Sequence, residues 1–458
     1  MIKKLFAPTD MTKGAPWKSI VLFTLPMLIG NIAQQLYSTV DSIVVGRYVG
    51  DNALAAVGNT LPVLNMLLAL FMGISAGAGI MVSQFFGAKN RKDLSYTIGN
   101  SITVTVAACV ILIELALPFI RPLLEILNTP SSIIDDCEAY LKISLMGIGG
   151  MGFYNILSGI IRGMGDSFSA LLYLLVATVI NIVLDVYFVA VLGWGVPGVA
   201  IATVISQLAS SALCFIKLSK MREHFDFGFK LMMPKSKYVK TVIRLGLPAG
   251  LTQAIFSSAM LIVQSLTNRF GELFIAANVV VMRVDGFAMM PNFSFGMALT
   301  TYAGQNVGAG LYDRVTKGAK QGALIAVGCS AVITGIILLF GKNLMAVFTE
   351  TEELVNRSYY LMNILAVGYI AMAVTQSLSG IMRGAGDTMT PMWISLITTV
   401  IIRVPLAYGI SYLTRTPELP NGISECIQIS LLSSWVMGAV LTAVFYRVGK
   451  WKNKAIKQ

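Results

Sequence analysis

Long apolar runs recur along the chain from Trp17 almost to its end, separated by short polar segments. Each run has about 20 to 30 mostly apolar residues, roughly the length of helix that crosses a hydrocarbon core of about 30 Å. Charges, prolines and glycines divide the runs into twelve predicted helices: 17–45, 53–86, 94–119, 133–161, 168–192, 196–219, 239–269, 273–305, 315–348, 354–381, 388–412 and 423–448. The pattern therefore predicts an all-α polytopic membrane protein.

Composition supports a membrane protein. Of 458 residues, 56% are hydrophobic and only 12% are charged, whereas soluble domains carry roughly a quarter charged residues. The net charge of +12 would suggest nucleic-acid binding in a soluble protein. Here the basic residues concentrate before helix 1, in 217–244 and in 447–457, a positive-inside distribution. We expect a multi-pass plasma (inner) membrane protein with both termini cytoplasmic and no nucleic-acid partner.

Metal and enzyme signatures are missing from the sequence. The five cysteines form no CxxC pair, and His224 is the only histidine, so no transition-metal site is expected. The chain has no HExxH, GxSxG or GxxxxGK[ST] motif, which leaves an intramembrane enzyme as a remote alternative. Without an ATP loop or a cofactor, energy for transport would come from an ion gradient.

The chain repeats itself. Residues 159–166, GIIRGMGD, return as 380–387, GIMRGAGD, an offset of 221 residues. Three further anchors lie at or within one residue of this offset: Gln84 with Gln305, Gly50 with Gly271, and Leu25-Pro26 with Leu247-Pro248. The repeat predicts an N-lobe (1–222) and a C-lobe (223–458), joined by a cytoplasmic linker at 220–238. Six helices in each lobe would relate the lobes by a pseudo-two-fold axis along the membrane normal.

The repeated Arg-Gly-x-Gly-Asp loops have two interpretations. Tight turns would place Asp166 and Asp387 as helix N-caps, with Arg162 and Arg383 near helix C-termini or lipid phosphate. A direct role in gating is the alternative. We favour the turn.

Six ionisable residues lie inside apolar runs, where each costs at least a few kcal/mol unless it is paired or functional. They are Asp41, Glu114, Asp185, Arg283, Asp285 and Arg403. Two arginines neutralise at most two of the four acids. At least two carboxylates therefore lack an embedded basic partner.

Depth along the helices brings four polar residues together in the outer half of the N-lobe. At about 1.5 Å per residue, Asp185 and Thr203 reach a similar level to Asp41, and Asn181 shares the face of Asp185. Carboxylate, amide and hydroxyl oxygens suit Na⁺ or a shared proton. We therefore predict a cation site for H⁺ or Na⁺. In the alternative, Asn181 and Thr203 bond backbone and each Asp caps a kink.

The C-lobe has different predicted chemistry. Asp285 and Arg403 reach similar mid-depth, which predicts a structural ion pair. Flexible thioethers and aromatic rings on helix 8 suit a promiscuous substrate cavity, although core packing explains them equally well. The candidates here are Met282, Phe287 and Met290, with Arg283 beside them, and Tyr37 joins the cavity because it shares a helix face with Asp41.

These features resemble the multidrug and toxic compound extrusion (MATE) family across the whole chain. The resemblance rests on twelve helices in two lobes, the Leu-Pro segments of helices 1 and 7, Gln-x-x-Gly-Ala after helices 2 and 8, and Arg-Gly-x-Gly-Asp after helices 4 and 10. The predicted cation site is similar to that of the DinF-like (MepA-like) branch, and Gln34 and Asn155 resemble residues that line its central cavity. Helices 7 and 10 lack the embedded acids of the NorM branch.

The resemblance implies a secondary active multidrug efflux transporter. Such a protein exports organic, mainly cationic compounds in antiport with H⁺ or Na⁺, by alternating access of two lobes, and confers drug resistance. We expect a monomer in the lipid bilayer that needs no cofactor. The alternative in the same superfamily is a lipid-linked oligosaccharide flippase, whose cavity would need several cationic residues.

Overall fold

The computed structural model describes residues 8–127 and 129–456, except the side chains of 36–43, 51 and 54. The helices are α1 (Pro16–Tyr48), α2 (Asp51–Gly87), α3 (Arg91–Ala116), α4 (Ile120–Ile126), α5 (Ile134–Met146), α6 (Ile148–Gly163), α7 (Ser167–Asp185), α8 (Gly195–Lys220), α9 (Phe229–Met232), α10 (Ser236–Thr267), α11 (Glu272–Gly308), α12 (Tyr312–Ala346), α13 (Glu352–Ala366), α14 (Gly368–Gly384), α15 (Met389–Leu396), α16 (Arg403–Leu413) and α17 (Cys426–Val448).

The helices confirm the predicted polytopic architecture. Within the described residues, ten helical segments are long and apolar enough to cross a membrane, and two bent helix pairs bring the number to twelve. Each of the twelve predicted helices coincides with one of these segments or pairs. Hydropathy alone therefore located the spans.

Two predicted helices are broken. The axis bends by 49° between α5 and α6 and by 44° between α13 and α14. Glycines at the breaks allow close packing. A Cβ on Gly147 would lie 2.3 Å from the Val204 side chain, and one on Gly368 would lie 2.5 Å from the Trp435 ring. The breaks carry neither proline nor charge, so they left no mark in the hydropathy pattern.

Two further helices contain a π-helical segment. One follows α7 at Val186–Val191, directly after Asp185. The other, Ile397–Ile402, joins α15 to α16. Pro405 follows the second segment and has no N–H to donate to the preceding turn, which favours a local widening of the helix. The two segments are not at equivalent positions of the repeat. Equivalent residues of the two halves therefore point in different directions around their helices in this region.

The described chain forms two compact units. Unit 1 contains residues 8–10 and 25–250, and unit 2 contains residues 11–24 and 251–456. Helices α1 and α10 therefore each divide between units, close to Pro26 and Pro248. The unit boundaries differ from the predicted halves because the start of α1 packs in unit 2 and the start of α10 packs in unit 1.

Glycines lie at an equivalent close helix crossing in each unit. In unit 1, a Cβ on Gly159 of α6 would lie 2.3 Å from the Ser75 hydroxyl oxygen of α2. In unit 2, a Cβ on Gly380 of α14 would lie 2.4 Å from the Gly296 carbonyl oxygen of α11. Small residues let helix backbones approach closely in membranes. The repeat thus reproduces the crossing. The glycine faces a side-chain oxygen in unit 1 and a backbone oxygen in unit 2.

A segment that we call the linker strap, residues 221–238, is fixed to the start of α3 in unit 1. The Arg91 guanidinium contacts the Asp226 carboxylate at 2.7 Å and donates to the carbonyl oxygens of Arg222 and Glu223. Asn100 accepts from the Lys235 amide at 2.7 Å. The strap is therefore held by an ion pair together with hydrogen bonds to backbone.

The corresponding segment before α1, residues 11–15, is held in unit 2 and is called the N-terminal strap. The Arg314 guanidinium donates to the carbonyl oxygens of Met11, Lys13 and Gly14 at 2.7 to 3.0 Å. The Met11 amide donates to Gln305 at 2.9 Å. Here the arginine is bound to neutral backbone oxygens.

Candidate functional site

Unit 1 buries the described members of the predicted cation site. Asn181 and Asp185 lie one turn apart on α7 with 0% and 1% exposure, and Thr203 on α8 is 9% exposed. Residues four apart share one helix face, so the amide and the carboxylate stand on the same side of α7. Polar groups this deeply buried are costly unless they are paired or functional.

The two neutral side chains of the site contact each other. The Asn181 Nδ2 group donates to the Thr203 hydroxyl oxygen at 3.4 Å. The Asn181 Oδ1 atom is buried and has no hydrogen-bond partner among the described residues. For Asn181 this differs from the alternative in which its side chain bonds backbone. The arrangement leaves a buried amide oxygen that can coordinate a cation.

Asp185 lies where α7 changes into its π-helical segment. Such single-turn insertions in helices are frequent at functional sites. An ionised carboxylate at this burial carries a large desolvation cost, which binding of a proton or a cation relieves. The backbone geometry and the burial therefore favour a carboxylate that exchanges a positive charge.

Asp41, the fourth predicted ligand, falls on α1. Its side chain lies outside the described residues, as does that of Tyr37, a predicted cavity residue. Their participation stays a prediction from the sequence.

The start of α7 is fixed by a capped loop. The Asp166 carboxylate accepts from the Ser169 amide at 2.9 Å and from the Ser169 hydroxyl at 2.7 Å. In unit 2, Asp387 accepts from the Thr390 amide at 3.2 Å. The predicted N-cap is confirmed at Asp166. In unit 2 the N-cap position of α15 is Thr388, and Asp387 accepts its hydrogen bond from one residue earlier. The turns also need glycine, because Gly165 and Gly386 have φ values of +93° and +97°.

One functional neighbour of this cap was missed by the sequence analysis. The Lys217 ammonium lies 3.0 Å from the Asp166 carboxylate, whose side chain is completely buried. Lys217 corresponds to Gly438 at the repeat offset, so comparing the halves position by position would have revealed it. The ion pair joins the start of α7 to α8, the two helices that carry the cation site.

The predicted cavity residues occupy different environments. Met282 and Phe287 are each 41% exposed, and Arg283 and Gln34 are also exposed. Met290 is only 8% exposed and packs inside unit 2. The structure therefore separates Met290 from the exposed face of α11.

Asn155, on α6, is half-buried. Its Nδ2 group donates to the Met151 carbonyl oxygen at 2.9 Å, one turn back on the same helix. Its backbone carbonyl accepts from the Ser75 hydroxyl at 2.6 Å. The side chain is thus already bonded within its own helix.

The predicted direct ion pair in unit 2 is not formed among the described residues. Asp285 instead accepts from the Tyr369 hydroxyl at 2.9 Å, and the buried Arg403 Nε has no hydrogen-bond partner in the described part of the chain. The π-helical turn immediately before Arg403 changes the direction of its side chain from that of a continuous α-helix. Equal depth therefore did not imply contact.

No group of three or more His, Cys, Asp or Glu side chains able to hold a metal ion occurs in the described residues.

A family model described as MatE matches the chain twice, over residues 26–187 and 248–409. The two matches together cover more than half of the sequence, and they begin at Pro26 and Pro248, the prolines of the internal repeat. The chain belongs to the MatE family. As a MatE protein it is a membrane transporter of the multidrug efflux family, and not an enzyme.

Several curated proteins are similar to this MatE chain over nearly their whole length. The probable multidrug resistance protein YoeA of Bacillus subtilis is 29% identical, covering 97% of this chain and 96% of that protein. The probable multidrug resistance protein NorM of Thermotoga maritima is 26% identical, covering 96% and 94%. The multidrug export protein MepA of Staphylococcus aureus is 21% identical, covering 86% and 87%.

Solved structures share the fold. A crystal structure of MATE in complex with MaL6 has a TM-score of 0.89 at 25% identity and covers 96% of this chain and 97% of that chain. A MOP superfamily transporter from Pyrococcus furiosus, described by the reverse polarity of its binding pocket, has a TM-score of 0.88 at 25% identity and covers 96% of each chain. The all-helical membrane architecture is therefore that of MATE transporters.

Proposed function

We propose that this MatE protein exports organic, mainly cationic compounds in exchange for H⁺ or Na⁺, and that the coupling site is in unit 1. The observation that carries the proposal is the buried Asp185 carboxylate, one turn from an Asn181 oxygen without a described partner. The corresponding positions in unit 2 are Leu406 and Ile402. Only one half of the repeat therefore offers this set of oxygens.

The coupling follows from charge. A carboxylate withdrawn from water is stabilised by one compensating positive charge, which an organic cation, a proton or Na⁺ can supply. If drug and coupling ion compensate the same carboxylate, they compete, and each is released when the other binds. Alternating access then converts this competition into antiport. The drug replaces the coupling ion when the site faces the cytoplasm, and the coupling ion replaces the drug when the site faces outward.

Substrate contacts are proposed on the exposed faces of both units. Met282 and Phe287 offer a flexible thioether and an aromatic ring on α11, which suit substrates of varied shape. Gln34 and Asn155 supply polar contacts in unit 1. We also propose that both termini are cytoplasmic, since basic residues concentrate at the termini and in the linker strap. The protein is further proposed to act as a monomer in the plasma membrane.

The test is ethidium efflux by purified protein in liposomes under imposed pH or Na⁺ gradients. Wild-type efflux should require one of the gradients. Asp185→Asn should lower gradient-driven efflux at least about tenfold, because a neutral amide cannot bind and release a compensating charge. Its insertion and elution profile should match wild type.

Asp285→Asn is the matched control, since it neutralises an embedded acid of unit 2 that accepts from Tyr369. This variant should keep the response to the gradient. Full coupled efflux by Asp185→Asn would refute the proposed site. Movement of lipid-linked oligosaccharide without a gradient would instead favour the flippase, although Arg403, with its buried Nε, is poorly placed for pyrophosphate.

A further inference from the structure

Unit 2 contains a small polar cavity between α10, α14, α15, α17 and the π-helical segment. Its volume is about 50 Å³, on a scale on which about 10–15 Å³ accommodates one water molecule. The cavity therefore has room for a few particles of water size. Its polar lining includes Gln376, Ser379, Arg383, Thr398, Thr399 and Ser434.

Arg383 places its charge in this cavity. It lies in the last turn of α14, and side chains of a helix lean back toward its N-terminus, away from the loop where the sequence placed it. Within the described residues its guanidinium donates one long hydrogen bond, 3.5 Å to the Gln376 side-chain oxygen. A guanidinium carries five N–H donors, and no ion pair compensates this one among the described residues. Most of its donors are therefore available to a ligand.

Two hydroxyls of the cavity are also available. Ser379 and Thr399 are 5% and 4% exposed, and neither hydroxyl has a hydrogen-bond partner in the described part of the chain. Thr398 and Ser434 differ, because each donates to a carbonyl of its own helix at 2.9 and 2.7 Å. Both residues line the cavity together with Arg383, so their hydroxyls can donate to an acceptor bound beside the arginine.

Unit 1 keeps only part of this polar lining. Arg162 occupies the place of Arg383, and Asn155, Ser158 and Thr178 occupy the places of Gln376, Ser379 and Thr399. Ser395, Thr398 and Ser434 are instead replaced by the apolar Leu174, Ala177 and Leu213. These three extra polar positions distinguish the cavity of unit 2 from the corresponding place in unit 1.

We propose that this cavity binds one small monovalent anion of halide size, chloride in the cell, against Arg383. Among the described residues no acidic side chain lines the cavity, and an uncompensated buried cation is costly in a membrane protein. A halide is only slightly larger than water and accepts hydrogen bonds from guanidinium and hydroxyl donors at once. The site is independent of the cation exchange proposed for unit 1.

The first test measures thermal unfolding of the purified protein in chloride and in gluconate at equal ionic strength. Chloride binds and gluconate is too large, so the unfolding temperature of wild type should be about 2–4 °C higher in saturating chloride. Arg383→Gln should remove this difference. Arg162→Gln is the matched control, because it removes the equivalent arginine of unit 1 and should keep the full chloride effect.

A second measurement does not depend on a folded variant. Crystals of wild type grown in bromide should show an anomalous scattering peak beside the Arg383 guanidinium. A cavity that holds only water would give no such peak and no chloride-dependent shift, and either absence would overturn the proposal. An unchanged chloride shift in folded Arg383→Gln would also overturn it, since the anion would then bind elsewhere.

Discussion

Units 1 and 2 use the same succession of helices to bury different charges. Unit 1 buries Asp185 beside Asn181 and pairs Asp166 with Lys217. Unit 2 has aliphatic residues at the first two positions and Gly438 at the place of the lysine. It presents Arg383 to a polar cavity instead.

The difference shows which parts of the duplicated fold are shared architecture. The loop caps and the glycine crossings recur at equivalent positions in both units, so they serve the fold. The arginine recurs as Arg162 and Arg383, whereas Asp185 has no acidic counterpart. A duplicated scaffold can therefore carry the proposed cation site in one half and the proposed anion site in the other.

The largest expected difference concerns the two capping aspartates. Asp166→Asn should destabilise the protein by about 2–3 kcal/mol, because it removes the buried carboxylate that forms an ion pair with the Lys217 ammonium. Asp387→Asn should cost less than about 1 kcal/mol, since Asn is also a good N-cap and no lysine is left unpaired. Denaturant unfolding in detergent micelles measures both.

The double variant Asp166→Asn with Lys217→Met should recover part of the stability lost by the single change. Equal losses at Asp166 and Asp387 would show that the ion pair adds nothing to the cap of α7.

A smaller contrast is expected at the glycine crossings. Gly380→Ala should destabilise unit 2 by about 1–3 kcal/mol, because its methyl group meets the Gly296 carbonyl and one backbone must move. Gly159→Ala should cost less, since the nearest atom in unit 1 is the Ser75 hydroxyl, which can rotate away at the cost of its hydrogen bond to the Asn155 carbonyl oxygen, about 1 kcal/mol. Thermal unfolding of the two variants gives the comparison.

Ser75→Gly provides the control, because it should reduce the cost of Gly159→Ala specifically. A larger loss at Gly159 than at Gly380 would contradict this account of the crossings.

The smallest expected effect is a response of the straps to acid. The Arg91 guanidinium, through its hydrogen bond, lowers the pKa of the Asp226 carboxylate below its ordinary value, which is about 3.9. A lowered folded pKa stabilises the linker strap above the ordinary value, and this contribution is lost as pH falls through the lowered one. The N-terminal strap has Arg314 on neutral carbonyls and should not respond through its arginine contacts.

Hydrogen exchange corrected for intrinsic rates measures this contrast. Protection of amides in 221–238 should fall below about pH 4 relative to those in 11–15. Asp226→Asn should show reduced protection of the linker strap already at neutral pH and no further acid step. Parallel loss in both straps would mean that acid acts on the whole protein and not on this ion pair.

Much of the fold could be predicted from the sequence, because membrane spans require long apolar runs. The cap of Asp166 was also predictable, since it depends on a few adjacent residues. The bend at Gly147 was not, because it depends on a contact with Val204 in another helix.

The proposed cation site was predicted only as far as it depends on local helix geometry. Asn181 and Asp185 share a face at a spacing that any α-helix fixes, and the structure buries both. The direct salt bridge predicted between Asp285 and Arg403 is not formed among the described residues, where Asp285 accepts from Tyr369 instead. The cavity at Arg383 could not be predicted, because its lining comes from helices far apart in the chain.

The division of α1 between the two units has a consequence for biosynthesis. The Trp17 amide donates to the side chain of Gln321, 304 residues later, and a Cβ on Gly322 would lie 3.3 Å from Ile20. The first turns of the first span therefore wait for most of the polypeptide to be inserted before their native neighbours exist. Contacts of such long sequence separation form late. The first turns of α1, the first span to be synthesised, therefore reach their native packing only when unit 2 is complete.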